Sequence, residues 1–141
     1  MRTRGAVCLS TDERGQSVSV FVLFFAVAIM LTVGLVVDGG QRVTATSRAE
    51  SAAAGASRAA SDAAATQELA GSNPAGAAVL AARAYLAGQP GVQGSVTVDA
   101  GVVTVTTTAT EATIFLAAIG VNELTGRGSA QANLVGPGET R

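Results

Sequence analysis

The chain has 141 residues, 48% hydrophobic and only 13% charged, and its nine basic and ten acidic residues leave a net charge of -1. At this length one small domain is the ceiling, and the charge balance excludes both a nucleic-acid-binding surface and a disordered acidic or basic tail. With no His and a single Cys, the sequence also excludes Cys/His zinc sites, His general bases, Ser-His-Asp triads and an intrachain disulfide framework.

Residues 1–15 form a short polar tail carrying Arg2, Arg4 and Arg14, with Cys8 as an isolated thiol. Residues 17–37 then read SVSVFVLFFAVAIMLTVGLVV, with no charge and no polar side chain larger than Ser or Thr. As a helix this run is about 31 Å long, which matches the hydrocarbon core of a bilayer. Charge stops at Asp12, Glu13 and Arg14 on one side and at Asp38 and Arg42 on the other. The spacing predicts a transmembrane helix over 16–37, bounded by Arg14, Asp38, Gly39 and Gly40. Two alternatives stand beside it. A buried core helix needs more covering material than a chain this short supplies. A cleaved signal would use the small residues Ala26-Val27-Ala28, but the apolar run continues past them to Val37. Basic residues are nearly balanced across the run, with Arg42, Arg48 and Arg58 following it, so the orientation bias is slight. The short tail is more easily kept inside than the longer body. The expected placement is a single pass of the cell membrane, with a cytoplasmic N-terminus and an extracytoplasmic C-terminal part.

Residues 38–71 predict an Ala-rich extracytoplasmic helix, because Ala has the highest helix propensity and almost no bulk to bury. Gly39-Gly40 is the one soft point between it and the apolar run. Ala45, Ala49, Ala52, Ala56, Ala59 and Ala63 recur in steps of four and three, a heptad-type seam of methyl groups. Such a seam suits close helix packing, and a plain solvated spacer helix is the alternative.

Gly71-Ser72-Asn73-Pro74 ends that helix, and residues 72–141 read as a small α+β head. Residues 75–87 predict a short amphipathic helix with Val79, Leu80, Ala84 and Leu86 along one side. Val92–Val98 and Val103–Thr107 alternate about Asp99-Ala100-Gly101, which predicts a hairpin. Its inward face would carry Val96, Val98, Val103 and Val105, and Thr104, Thr106 and Thr108 would face away. Ile114–Ile119 is apolar and fits a short helix or a loop under the sheet. Residues 128–135 fit a third strand, which a marginal two-stranded hairpin would need. The fold class is therefore α+β: a long transmembrane helix continuing as an Ala-rich stalk, then a short helix and a small antiparallel sheet of two or three strands.

No pair of carboxylates, phosphate loop or metal pattern emerges, so the sequence predicts no enzyme and calls for no cofactor, metal or nucleic acid. The partners expected from it are the lipid bilayer and other helices.

The order of parts carries a family resemblance. Asp12-Glu13-Arg14-Gly15 precedes Gln16-Ser17-Val18-Ser19-Val20-Phe21, the apolar run follows, and Val37-Asp38-Gly39-Gly40-Gln41-Arg42 leads into an Ala-rich stretch with Ala63-Ala64-Ala65. This resembles the TadE/TadG-like proteins of tight-adherence (Tad, Flp-type) pilus systems, and in its small head the small variants of high-GC bacteria. The resemblance implies a pilin-like, single-pass membrane protein. Its role would be that of a minor pilin or a pilus-assembly factor, working by helix packing with other pilin-like or Tad assembly subunits. It also implies a prepilin peptidase as a partner, cutting between Gly15 and Gln16. Such pilins carry Glu five residues into the mature chain, and here that position is Val20. The departure favours the TadG-like reading, in which the helix stays a permanent anchor. A membrane-anchored module binding an envelope or extracellular ligand is the other functional reading.

Overall fold

In the computed structural model, which describes residues 13–134, the first element is a helix α1 (Glu13–Leu69) of 57 residues, about 85 Å long. It passes through Gly39 and Gly40 without interruption. Hydroxyls along it bond back to carbonyls one turn earlier: Thr32 to Ala28 (2.8 Å), Thr44 to Gly40 (3.1 Å) and Thr66 to Asp62 (2.9 Å). Each of these polar side chains therefore has an acceptor within the helix. The helix stops at Gly71, whose φ of 67° is the left-handed conformation of a Schellman end. There the Ser72 N–H bonds the Gln67 carbonyl and the Gly71 N–H bonds that of Glu68.

Asn73 opens the next helix, α2 (Pro74–Ala87). Its side-chain oxygen accepts from the N–H groups of Ala75 (3.1 Å) and Gly76 (3.3 Å), and Pro74 occupies the first helical position, where no N–H is needed. The three strands β1 (Val92–Asp99), β2 (Val102–Ala112) and β3 (Glu123–Asn133) form one antiparallel sheet in the order β1-β2-β3. The β1–β2 turn has positive φ at Ala100 (47°) and Gly101 (78°), the primed turn that suits the twist of a two-residue hairpin. Val96 pairs with Val105 and Val98 with Val103, so the Val positions share one face.

That face packs against α1 and α2. The core consists of Ala52, Ala53, Ala56, Ala60 and Ala64 of α1, Ala78, Ala82 and Leu86 of α2, and Val96, Val103, Val105 and Leu134. Small side chains let the backbones approach closely. A Cβ on Gly126 would lie 2.2 Å from the Thr46 nitrogen, and one on Gly128 would lie 2.4 Å from the Ala49 carbonyl carbon. The buried Thr107 hydroxyl donates to the Ala49 carbonyl (2.7 Å), tying the central strand to the helix.

Several details differ from the sequence-based expectation. The third strand begins at Glu123 rather than 128 and runs the full length of β2. The buried line on α2 is Ala78, Ala82 and Leu86, while Leu80 and Ala84 are exposed. Methyl groups win that face because α2 lies close on α1, with Tyr85 over Gly55, where a Cβ would meet its hydroxyl at 2.2 Å. Residues Leu116–Ile119 form a 3-10 turn in the β2–β3 connection, set beside α1 rather than beneath the sheet.

Candidate membrane-boundary and packing site

One face of α1 organises the molecule from Gly34 onward. Gly34, Asp38, Ala45, Ala49, Ala52, Ala53, Ala56, Ala60 and Ala64 are buried along it. Of the six seam positions read from the sequence, Ala45, Ala49, Ala52 and Ala56 are buried, whereas Ala59 and Ala63 are only half-buried. A straight helix advances 3.6 residues per turn, so its buried stripe drifts from a strict heptad by one residue over this length. The stripe is occupied by the chain's own sheet and α2.

Above Gly34 toward the N-terminus the picture reverses. Every residue from Ser17 to Val33 is exposed, including Phe21, Leu23, Phe24, Phe25, Met30 and Leu31. The reading of this run as a core helix is thereby excluded: nothing in the described fold covers it. Such a length of apolar surface is unsuited to water, and one N-terminal helix of this kind fits a single-pass membrane protein. Phe21 and Phe25 stack one turn apart, with ring centroids 6.3 Å from each other.

Asp38 sits where the exposed run meets the buried stripe. It is the one buried charged residue among the described residues. Its Oδ1 accepts from the Ile114 N–H (2.9 Å), its Oδ2 accepts from the Leu116 N–H (2.6 Å), and the Phe115 N–H points between the two oxygens at 3.4 and 3.2 Å. The 3-10 turn Leu116–Ile119 has no N-terminal cap of its own, since Phe115 precedes it without a side-chain bond. Asp38 supplies that cap from a distant helix. The Ile114 N–H, and with it those of Leu116 and Phe115, holds the carboxyl below its ordinary 3.8, against desolvation that pushes it up. One helical turn before Asp38, the Phe115 ring lies on Gly34, where a Cβ would come within 2.8 Å of it. The ring and the helix together border an apolar groove lined by Ala26, Ile29, Met30 and Val33.

The sequence marks Asp38 as a boundary charge but carries no means of naming its partners, which lie 76–78 positions away. Gly39 and Gly40 are exposed, with open space where a Cβ would stand. The side chains of Arg14, Gly15 and Gln16 lie outside the described residues, as does Cys8. Arg48 of α1 pairs with Glu111 near the end of the central strand β2, both side chains being partly exposed. An open hollow over the sheet is lined by Glu50, Ala54, Ser95, Thr106, Arg127 and Ser129 among others. Among the described residues no three His, Cys, Asp or Glu side chains converge as a metal site, and no buried polar side-chain atom lacks a partner. The arrangement is suited to packing and capping.

No curated protein and no solved structure matches the chain. Residues 15–66, which take in the exposed run, Asp38-Gly39-Gly40 and the buried stripe to Ala64, match the family model described as putative Flp pilus-assembly TadE/G-like, and this match supports a role related to Tad-type pili.

Proposed function

We propose that this chain is a single-pass membrane protein of a Tad-type pilus, a minor pilin-like subunit or assembly factor that works by helix packing. One observation carries the reading: α1 is continuous, exposed all round from Ser17 to Val33 and covered along one face by its own head from Gly34 onward. The half that the head covers is already used. The half left bare is apolar all round, which a helix tolerates in lipid or among other apolar helices. In this reading the N-terminus lies in the cytoplasm and the head outside, with Arg14 and Asp38 flanking the span. Other pilin-like or Tad assembly subunits are the partners of the bare half. A prepilin peptidase acting between Gly15 and Gln16 belongs to the same reading, with Val20 as the feature that favours retention as an anchor.

The test is photocrosslinking from Phe24, an exposed position on the bare half, in cells assembling the pilus. Adducts to another pilin-like or assembly chain are expected, whereas monomer alone in the presence of those partners would overturn the reading. Mass spectrometry of the mature N-terminus separates its two forms: Gln16 marks processing and Met1 marks a fixed anchor.

A further inference from the structure

The geometry points to a second membrane contact: the β2–β3 connection, from Ile114 to Val121, is an interfacial wedge whose partner is the lipid of the extracytoplasmic leaflet. This rests on the transmembrane reading of α1.

The sequence from Ala112 to Asn122 contains no charged residue, with Glu111 and Glu123 at its ends. Ile114, Phe115, Ile119 and Val121 are exposed, Ile119 to 75%. A water-facing loop of this size normally carries turn-forming polar residues. This one presents its large apolar side chains outward while most of its backbone N–H groups are bonded within the protein. Asp38 accepts from the N–H groups of Ile114, Phe115 and Leu116. The Thr113 N–H bonds the Asn122 carbonyl, the Ala118 N–H that of Phe115, the Gly120 N–H that of Ala117 and the Val121 N–H that of Leu116. The Thr113 hydroxyl bonds the Val121 carbonyl. Each such bond lowers the cost of leaving water, since an unpaired backbone group at depth costs several kcal/mol.

Position supplies the second argument. The Phe115 ring lies on Gly34, four residues and about 6 Å before Asp38 along the helix, which puts it within the apolar run. Its exposed edge continues into the groove formed by Ala26, Ile29, Met30 and Val33. The loop therefore extends the lipid-facing surface of α1 sideways, at the depth where amphipathic and aromatic groups anchor. Asp38 makes this possible: it neutralises the loop's donors while the loop covers its charge.

The sequence contains no Trp, so single Trp variants give clean reporters in the full chain. Ile119→Trp and Ile114→Trp report the loop, Leu35→Trp the helix, and Leu80→Trp the exposed side of α2. Each is reconstituted in phosphatidylglycerol and phosphatidylcholine vesicles, the latter brominated near the headgroup end of the acyl chain. Blue-shifted emission and quenching comparable to Leu35→Trp are expected for both loop reporters, with Leu80→Trp unquenched. A quenched Leu35→Trp beside loop reporters that emit as in water overturns the wedge and leaves the transmembrane helix intact. Loop emission that is blue-shifted but unquenched means that protein covers the loop, and overturns the wedge as well. Quenching at Leu80→Trp would mean a head lying flat on lipid, which also overturns the wedge. An unquenched Leu35→Trp overturns the transmembrane reading itself.

Discussion

Asp38 and Leu116 are 78 positions apart in sequence, yet the Asp38 Oδ2 accepts the Leu116 N–H at 2.6 Å. The carboxylate on the long helix thereby fixes the start of a turn that has no N-terminal cap of its own. Replacing Asp38 by Ala should release the turn but leave the sheet paired. Amide exchange at Ile114–Leu116 should accelerate roughly fivefold, the ratio for loss of a typical N-cap, while amides of the β2–β3 ladder stay protected. Equal acceleration in both places would show that the latch supports the whole head.

The same carboxylate sets an acid limit. Its folded pKa lies below the ordinary 3.8, so its contribution is complete above that value and is lost as pH falls through the lower, folded one. The exchange rates of Ile114–Leu116 should not respond to pH, beyond the intrinsic chemistry, between about 7 and 4. Opening of the turn should begin only in stronger acid, and Asp38→Asn should remove this transition.

Glycines along α1 and β3 divide into two kinds. At Gly126 and Gly128 a Cβ would meet helix backbone at 2.2 and 2.4 Å, and backbone has nowhere to go. Gly128→Ala should cost about 3 kcal/mol or more, read as a lowered midpoint of thermal unfolding in detergent. At Gly39 and Gly40 the space is open, so Ala should stabilise the helix by about 0.5–1 kcal/mol at each position. A loss on Gly39→Ala would mean that the helix bends there in the working protein.

Gly34 and Phe115 should behave as a coupled pair. Gly34→Ala forces the ring away, and Phe115→Ala removes the obstruction. The double variant should be less destabilised than the two single variants sum to, with a coupling of about 0.5–3 kcal/mol. Strict additivity would place the ring elsewhere.

Thr107 offers a milder test. Its hydroxyl donates to the Ala49 carbonyl within the core. Thr107→Val keeps the shape and loses the bond, which should cost about 1 kcal/mol in unfolding experiments.

Much of the fold is legible in the sequence because it is local or periodic. The uncharged run at 17–37, the Val/Thr alternation about Asp99-Ala100-Gly101 and the helix stop at Gly71-Ser72-Asn73-Pro74 each carry their own signal. The differences share another cause. Ala seams read alike at neighbouring registers, so Ala59 and Ala63 stand in for Ala60 and Ala64. Leu80 attracts the α2 face by its size, whereas close approach of two helices selects Ala78 and Ala82. At the candidate site, Asp38 is visible as a boundary charge and Ile114–Ile119 as an apolar segment. Their union depends on the return path from β2 to β3, and no short-range pattern encodes it.

The uninterrupted passage of α1 through Gly39 and Gly40 has a mechanical meaning. Sheet and rod touch backbone to backbone at Gly126 and Gly128, so there is no slack between them. A tug or twist applied to the bare end would reach the cap through continuous helix and close backbone contact, with no intervening linker to absorb it.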